Sequence, residues 1–448
     1  MTGDVGWWRD LATRVVSGKK LILIAHPLAG TGPIVAALQD LGADHPFVLA
    51  AGVGTGDPPD PGDCDWHVLS VAGADMIAAV RSYEASLVNL PPEAQEAIDR
   101  YDPQGEALVW HAGFGRSLPS IGGRPAYALR RPEWIALEDK VAIDAVWDAA
   151  GVPRAPSLVV AADRTSLEAA ACRFDQGLGT VWAGDAREGV NGGAVYVRWV
   201  RSPDDAESAA SFLAARCDRA RVMPFLEGIP CSIHGMVFPD RTIALRPCEI
   251  VTLRQSQPSR LHYAGVATFW DPPDADRDDM RAAVVRTGET LRRMVGYRGA
   301  FGIDGVLTED GFRPTELNSR YAGHGVVAGG ATGLPLGAVD AAAVAGEPFD
   351  YRSADLEELI VEAADACRRG SIHSVTHTVF TETTKRPTPD GDLVSGPSNV
   401  GGFVRLSLDP ERVPVGPSVA PLGVEAFALA DRELGTTFGP FEPARAVR

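Results

Sequence analysis

The sequence predicts a protein that mixes α/β and α+β architecture. It divides into a small α/β domain over 1–130, two α+β subdomains over 131–225 and 226–350, and a C-terminal extension over 351–448. Three observations predict this. Short apolar runs alternate with helical segments through the first 130 residues. Glycine-punctuated hairpin patterns take over from residue 179. At 448 residues the chain is also too long for one hydrophobic core.

Composition narrows the function classes. The apolar fraction of 45% is that of a globular protein. A net charge of −17 argues against nucleic acid or an anionic membrane surface as partner. Of the 42 basic residues only Lys19, Lys20, Lys140 and Lys385 are lysines, so each is a rare choice. The six cysteines are scattered, without a CxxC pair, and read as reduced, buried thiols rather than a zinc site. The start, MTGDVGWWRD, lacks a basic stretch followed by an apolar core. No apolar run approaches the roughly 18 residues of a membrane span. A cytoplasmic protein is expected.

Element by element, KLILIA at 20–25 reads as a strand, followed by a turn holding Gly30-Thr31-Gly32 and a helix. This GxG is read as a structural turn, because the rest of a phosphate-loop fingerprint is missing. From Glu133 an amphipathic helix is expected to run to Gly151, stopped by Pro153. Strands are expected at 157–161 and 179–183, with a helix between them and a glycine-rich turn at 189–193 after them. A helix over 203–216 leads to VMPFLEG and a hairpin over 231–238 and 242–251. A long helix spans 276–295, and a second hairpin follows at 299–318. Beyond 350 come a helix at 355–369 and a strand-forming tail.

The richest stretch is GIDGVLTEDGFRPTELNSR, 302–320. Residues two apart on a strand share a face, so Glu316 and Asn318 present their oxygens side by side. Folding at Glu309-Asp310-Gly311 returns Asp304 against them. Three hard oxygen donors around one point suit Mg²⁺, which takes its remaining ligands from water and substrate phosphates. Arg320, two residues on, can reach those phosphates. The residues themselves therefore point to a magnesium-nucleotide site.

Taken in order, Lys140, the Gly189–Gly193 turn, the VMPFLEG strand, the acid at 304 and the Glu-x-Asn-x-Arg segment resemble the ATP-grasp superfamily over roughly 130–345. The resemblance implies two α+β subdomains clasping Mg-ATP behind a small α/β domain. It implies that Lys140 contacts the phosphates; on sequence alone a solvated lysine is the plain alternative. Gly189, Asn191, Gly192 and Gly193 would form the loop over the phosphates, although the glycines fit an ordinary hairpin turn as well. Met223, Phe225, Leu226 and Glu227 would border the nucleotide base and ribose, with Glu249 nearby on the next hairpin. Asp304, Glu316 and Asn318 would hold Mg²⁺, and Arg320 would stabilise the transferring phosphoryl group. One departure stands out. The family's second nucleotide lysine is replaced in TVWAGD by Trp182-Ala183, with Arg187 or Arg198 as candidates to supply the charge.

The implied reaction couples a carboxylate to an amine through an acyl phosphate, releasing ADP and phosphate. A kinase acting on a small-molecule hydroxyl, or a non-catalytic nucleotide-binding protein, are the alternatives. The first domain and tail resemble those of natural-product peptide ligases of the pheganomycin type. Small-molecule or peptide carboxylates and amines are the expected partners, with an acidic-lined cleft for the amine. The tail is expected to shape acceptor specificity or a homodimer contact.

Overall fold

The computed structural model describes residues 5–71, 73–111, 117–187, 189, 192 and 194–446, with side chains at 111 and 324–328 excepted. The first sheet orders its strands Asp65–Val68, Asp44–Ala50, Lys20–Ala25, Leu108–His111, Arg124–Tyr127 and Ser120–Ile121. All its pairings are parallel except the last. Lys20–Ala25 is buried along its middle because helices cover both faces, so its residues run continuously apolar. Leu28 and Gly52 join through their backbones, and Gly30 takes φ +85° before the helix Gly32–Asp40. The GxG is thus a turn fastened to the neighbouring loop.

A four-stranded antiparallel sheet follows, ordered Leu158–Ala161, Arg219–Pro224, Thr180–Gly184, Val197–Val200. Helices Arg164–Phe174 and Pro203–Arg216 are both N-capped by side chains, Asp163 and Ser202. Ser202 and Asp205 form a reciprocal capping box.

The expected continuous helix from Glu133 to Gly151 is broken. A short helix at Pro132–Ile135 runs into a 3-10 turn at Ala136–Glu138, and a non-helical passage then separates it from the helix Asp144–Ala150. Asp139 turns the chain there: it is extended (ψ 116°), and its Oδ1 accepts from Val141 N at 3.1 Å. Lys140 sits in this break.

The largest sheet runs Gly311–Asn318, Gly299–Thr308, Ile229–Val237, Cys248–Ser256, Ser259–Ala267, Gly370–Thr376, Gly401–Leu408, Gly391–Ser398, Thr384–Thr388. Strands from the 351–448 segment therefore extend the sheet that carries Asp304. The junction is the pairing of Ser259–Ala267 with Gly370–Thr376. It is close enough at Gly265 (φ +111°) that a Cβ would lie 2.3 Å from Ser371 O. Helix Asp274–Val295 buries Met280, Val284 and Leu291 against this sheet, while Met294 in its last turn is exposed. No helix among the described residues is long and apolar enough to cross a membrane.

Gly265→Ala should destabilise the protein by about 1–3 kcal/mol, since it adds a disfavoured φ and a clash at the junction. The midpoint of urea unfolding checks this. An unshifted midpoint would mean the junction tolerates a side chain.

Candidate active site

The hairpin Gly299–Thr308/Gly311–Asn318 sets Asp304 directly opposite Glu316 and Gly302 opposite Asn318. Asp304 Oδ1 accepts from Ser232 Oγ at 2.7 Å, and its Oδ2 accepts from Asn318 Nδ2 at 2.9 Å. Burial and the neighbouring Glu316 push the Asp304 carboxyl up to about 6. A divalent cation between these carboxylates would relieve that repulsion. The set comprises two carboxylates and an amide, and no cluster of three His, Cys, Asp or Glu suited to a metal occurs among the described residues. Such a set fits Mg²⁺, which leaves positions for water and phosphate, better than a cation that needs a full protein cage. Asn318 Oδ1 already accepts from Arg320 NH2 at 2.9 Å; its second lone pair remains for a metal.

The cations around this set are held by carboxylates. Lys140 is buried, and its Nζ donates to Glu316 Oε1 at 2.7 Å. Arg320 pairs through NH1 with Glu138, which also accepts from Arg130 at 2.9 Å. Although burial opposes it, Arg320 and Arg130 hold the Glu138 carboxyl below the usual carboxylate range. Ser319 Oγ donates to Trp134 O at 2.6 Å and ties the end of strand Gly311–Asn318 to the short helix Pro132–Ile135.

These groups line one cavity of about 880 Å³. Lys140, Gly192, Met223, Phe225, Leu226, Asp304, Glu316, Asn318 and Arg320 all border it. Phe225 stacks on Trp199 with centroids 4.6 Å apart and carries the Arg254 guanidinium 4.9 Å from its centroid. Gly189 takes φ +98° beside Asp185, which anchors the base of the loop by accepting from Arg219 N at 2.7 Å. Asn191 and Gly193 lie outside the described residues.

Several expectations need correction. Glu249 does not face the cavity. Its neighbours Ile250 and Thr252 do, whereas Glu249 is buried on the opposite side. There it accepts from Ser418 Oγ at 2.5 Å and Val419 N at 2.7 Å, holding the start of helix Ala420–Leu434. Glu227 pairs with Arg254 NH2 at 2.7 Å and is not among the lining residues. Arg187 is spent on Asp218 at 3.1 Å and Ala215 O. Arg198 donates to the carbonyls of Val195 and Val197 and stacks on Phe212; burial and nearby arginines push it down to about 10. Neither arginine lines the cavity. The acidic-lined cleft is also absent: Asp304 and Glu316 are the only carboxylates among the described lining residues.

Sequence reasoning missed Arg221. It lies on the strand next to Thr180–Gly184, directly opposite Ala183, the position left without a lysine. It is 1% exposed and lines the cavity. Its NH1 donates to Thr315 O at 2.8 Å, its Nε lies 3.2 Å from Asp144 Oδ1, and its NH2 is buried without a hydrogen-bond partner. Only the cross-strand register could have revealed it.

Two antiparallel-sheet bodies enclosing a cleft behind a parallel α/β domain make up the ATP-grasp fold, and this chain has it. Among solved structures it is similar to biotin carboxylase from Campylobacter jejuni in its β,γ-ATP complex, at 14% identity and TM-score 0.54, covering 95% of this chain and 92% of that one. It is likewise similar to carboxyaminoimidazole ribonucleotide synthase from Aspergillus clavatus complexed with ATP, at 13% identity and TM-score 0.53, covering 95% and 99%. The ADP complex of purK, N5-carboxyaminoimidazole ribonucleotide synthetase, matches at 14% identity and TM-score 0.51, covering 94% and 98%. At these identities the likeness is one of fold. No family model matches the sequence, and no curated protein matches it.

Glu138→Ala should cost about 3–5 kcal/mol, because it strands Arg130 and Arg320 without their shared carboxylate. Thermal and urea unfolding check this. A loss below about 1 kcal/mol would show that the two arginines find other partners.

Proposed function

We propose that the protein is an ATP-dependent, ADP-forming carboxylate–amine ligase. The observation that carries this reading is the convergence of Asp304, Glu316, Asn318, Lys140, Arg221 and Arg320 on one cavity. The fold supports it, since its solved neighbours include ATP and ADP complexes of two kinds of enzyme, biotin carboxylase and carboxyaminoimidazole ribonucleotide synthase.

Asp304, Glu316 and Asn318 would hold Mg²⁺, which neutralises charge on the β- and γ-phosphates. Lys140 exchanges its bond to Glu316 for phosphate oxygens, and Arg221 supplies the lid cation in place of the missing lysine. A substrate carboxylate oxygen attacks the γ-phosphorus, the bond to the β,γ-bridging oxygen breaks, and ADP leaves. Arg320 offsets the charge on the phosphoryl oxygens during that transfer. A neutral amine then attacks the acyl carbon, phosphate departs with the C–O electron pair, and the surplus amine proton passes to phosphate or water. The glycine loop would exclude water, to which an acyl phosphate is vulnerable. Binding energy goes into orientation and charge neutralisation, and no nucleophilic side chain is needed. The amide is a peptide bond only if the amine reaches the site without an acidic anchor, because beyond the metal set no described carboxylate lines the cavity.

Glu316→Gln should lower ADP release at least about 100-fold, as removal of a metal-site carboxylate does, and weaken Mg²⁺-dependent nucleotide binding. Screening amino acids, small acids and amines for phosphate release, with mass spectrometry of products, provides the assay. Normal turnover in the variant would overturn the metal assignment. A stable phosphoester formed from one substrate would replace the ligase reading with a kinase. Arg221→Ala should raise the Kd of Mg-ATP about tenfold or more, the loss of one charge-assisted contact. Unchanged affinity, measured by calorimetry, would remove Arg221 from the site.

A further inference from the structure

The cavity does not end at the metal set. It continues across the sheet to Gly370–Thr376 and Gly401–Leu408, where Val375, Phe403 and Arg405 line it. On the facing side Pro27, Met76 and Val80 of the first domain close it. This outer compartment is a built contact between the two ends of the chain. Asn399 Nδ2 donates to Ala51 O at 2.8 Å, and Thr55 Oγ1 donates to Pro397 O at 2.8 Å. Gly52 and Gly396 lie where a Cβ would strike the side chains of Asn399 at 2.2 Å and Thr55 at 2.6 Å, so each glycine makes room for the side chain that crosses from the other surface.

Charge decides what fits there. Lys140, Arg221, Arg254 and Arg320 each face a carboxylate: Glu316, Asp144, Glu227 and Glu138. Arg405 also lines the cavity; it is exposed, and its side chain makes no hydrogen bond or ion pair among the described residues. Its cross-strand neighbours are His373 and Val394. Burial and Arg405 push His373 down to about 4, so it adds no charge at neutral pH. The lining from the same segment mixes apolar Val375, Val400 and Phe403 with the uncharged Ser398 and Asn399.

Position decides which part of a ligand Arg405 meets. Its strand is the fifth from that of Asp304 in the sheet order. At about 4.8 Å per strand the separation is on the order of 20 Å along the sheet. One carboxylate cannot touch Arg405 and a phosphate at Asp304 together. Arg405 therefore addresses the far end of a ligand whose other end reacts.

We propose that the outer compartment takes an elongated substrate with an apolar body and a carboxylate at its distal end, seated on Arg405. This rests on the ligase reading for the reacting end but has its own test. A phosphorylated sugar would find Arg405 the one fixed charge there among the described residues, and a polycation would find no carboxylate.

The test uses the full chain and three probes of matched length: octanedioate, 1,8-octanediol and 1,8-diaminooctane. Each is titrated by calorimetry and saturation-transfer NMR, with and without Mg²⁺ and a non-hydrolysable ATP analogue, into the wild type and Arg405→Gln. Octanedioate should bind about tenfold more tightly than the diol to the wild type, and the diamine should not bind. Arg405→Gln should bring octanedioate down to the level of the diol while leaving the diol, nucleotide affinity and the melting temperature unchanged. Equal octanedioate affinity in the two proteins, no octanedioate binding to the wild type, or binding of the diamine would each overturn the proposal. Failure of the wild type to bind the nucleotide would count against the ligase reading instead.

Discussion

The pairing of Asp304 with Glu316 across one hairpin is the constraint on which the rest of the site depends. Two half-buried carboxylates on facing strands repel each other and have lost part of their hydration. The effective penalty for burying such an ion is several kcal/mol. The structure offsets it with Ser232 and Asn318 on Asp304 and with Lys140 on Glu316. The chain extends outward from there: Asn318 to Arg320, Arg320 to Glu138, and Glu138 to Arg130. Every charge in this series is answered by a neighbour, which holds the site in one arrangement before any ligand arrives. That arrangement fastens the sheet that carries Asp304 to the segment around Trp134, which shares that sheet's hydrophobic core.

The same logic explains the broken helix. Apolar spacing at helical intervals continues across Glu133–Gly151, so pattern alone reads one helix. A continuous helix would fix the direction of Lys140 by its turn. The break at Asp139 instead leaves Lys140 buried against Glu316. Local propensity yields here to a tertiary ion pair, as expected where a side chain must meet a partner 176 positions away in sequence.

How much of this could be read from sequence follows from how local each signal is. The hairpin at 299–318 was legible because its turn, its two-residue period and its ligands fall within twenty residues. Lys140 was legible because lysine is scarce in this chain. Glu249 misled because its strand is largely buried on both faces, so sequence gives no parity to show which side points to the cavity. Arg221 was invisible for a related reason. Its relevance comes from standing across from Ala183, and cross-strand register between segments 38 residues apart is a non-local fact. The tail's place in the metal-bearing sheet is another, since it depends on Ser259–Ala267 meeting Gly370–Thr376.

Arg221 also shows how a lost charge can be moved rather than lost. An arginine one strand over reaches the same space from a neighbouring backbone, because adjacent strands lie about 4.8 Å apart and its side chain is long. The exchange is not neutral, since a planar fork replaces a point charge. A lysine in the strand next to the loop would be free to follow that loop. Arg221 is instead pinned by Thr315 O and Asp144, which leaves its NH2 buried without a hydrogen-bond partner among the described residues. Lys140 differs: it must first leave Glu316, and a cation on Glu316 is what would release it. Metal and nucleotide binding should therefore reinforce each other, and linkage requires the effect to be equal in both directions. Within one cleft, then, a fixed cation would register the nucleotide while a released one would respond to the metal.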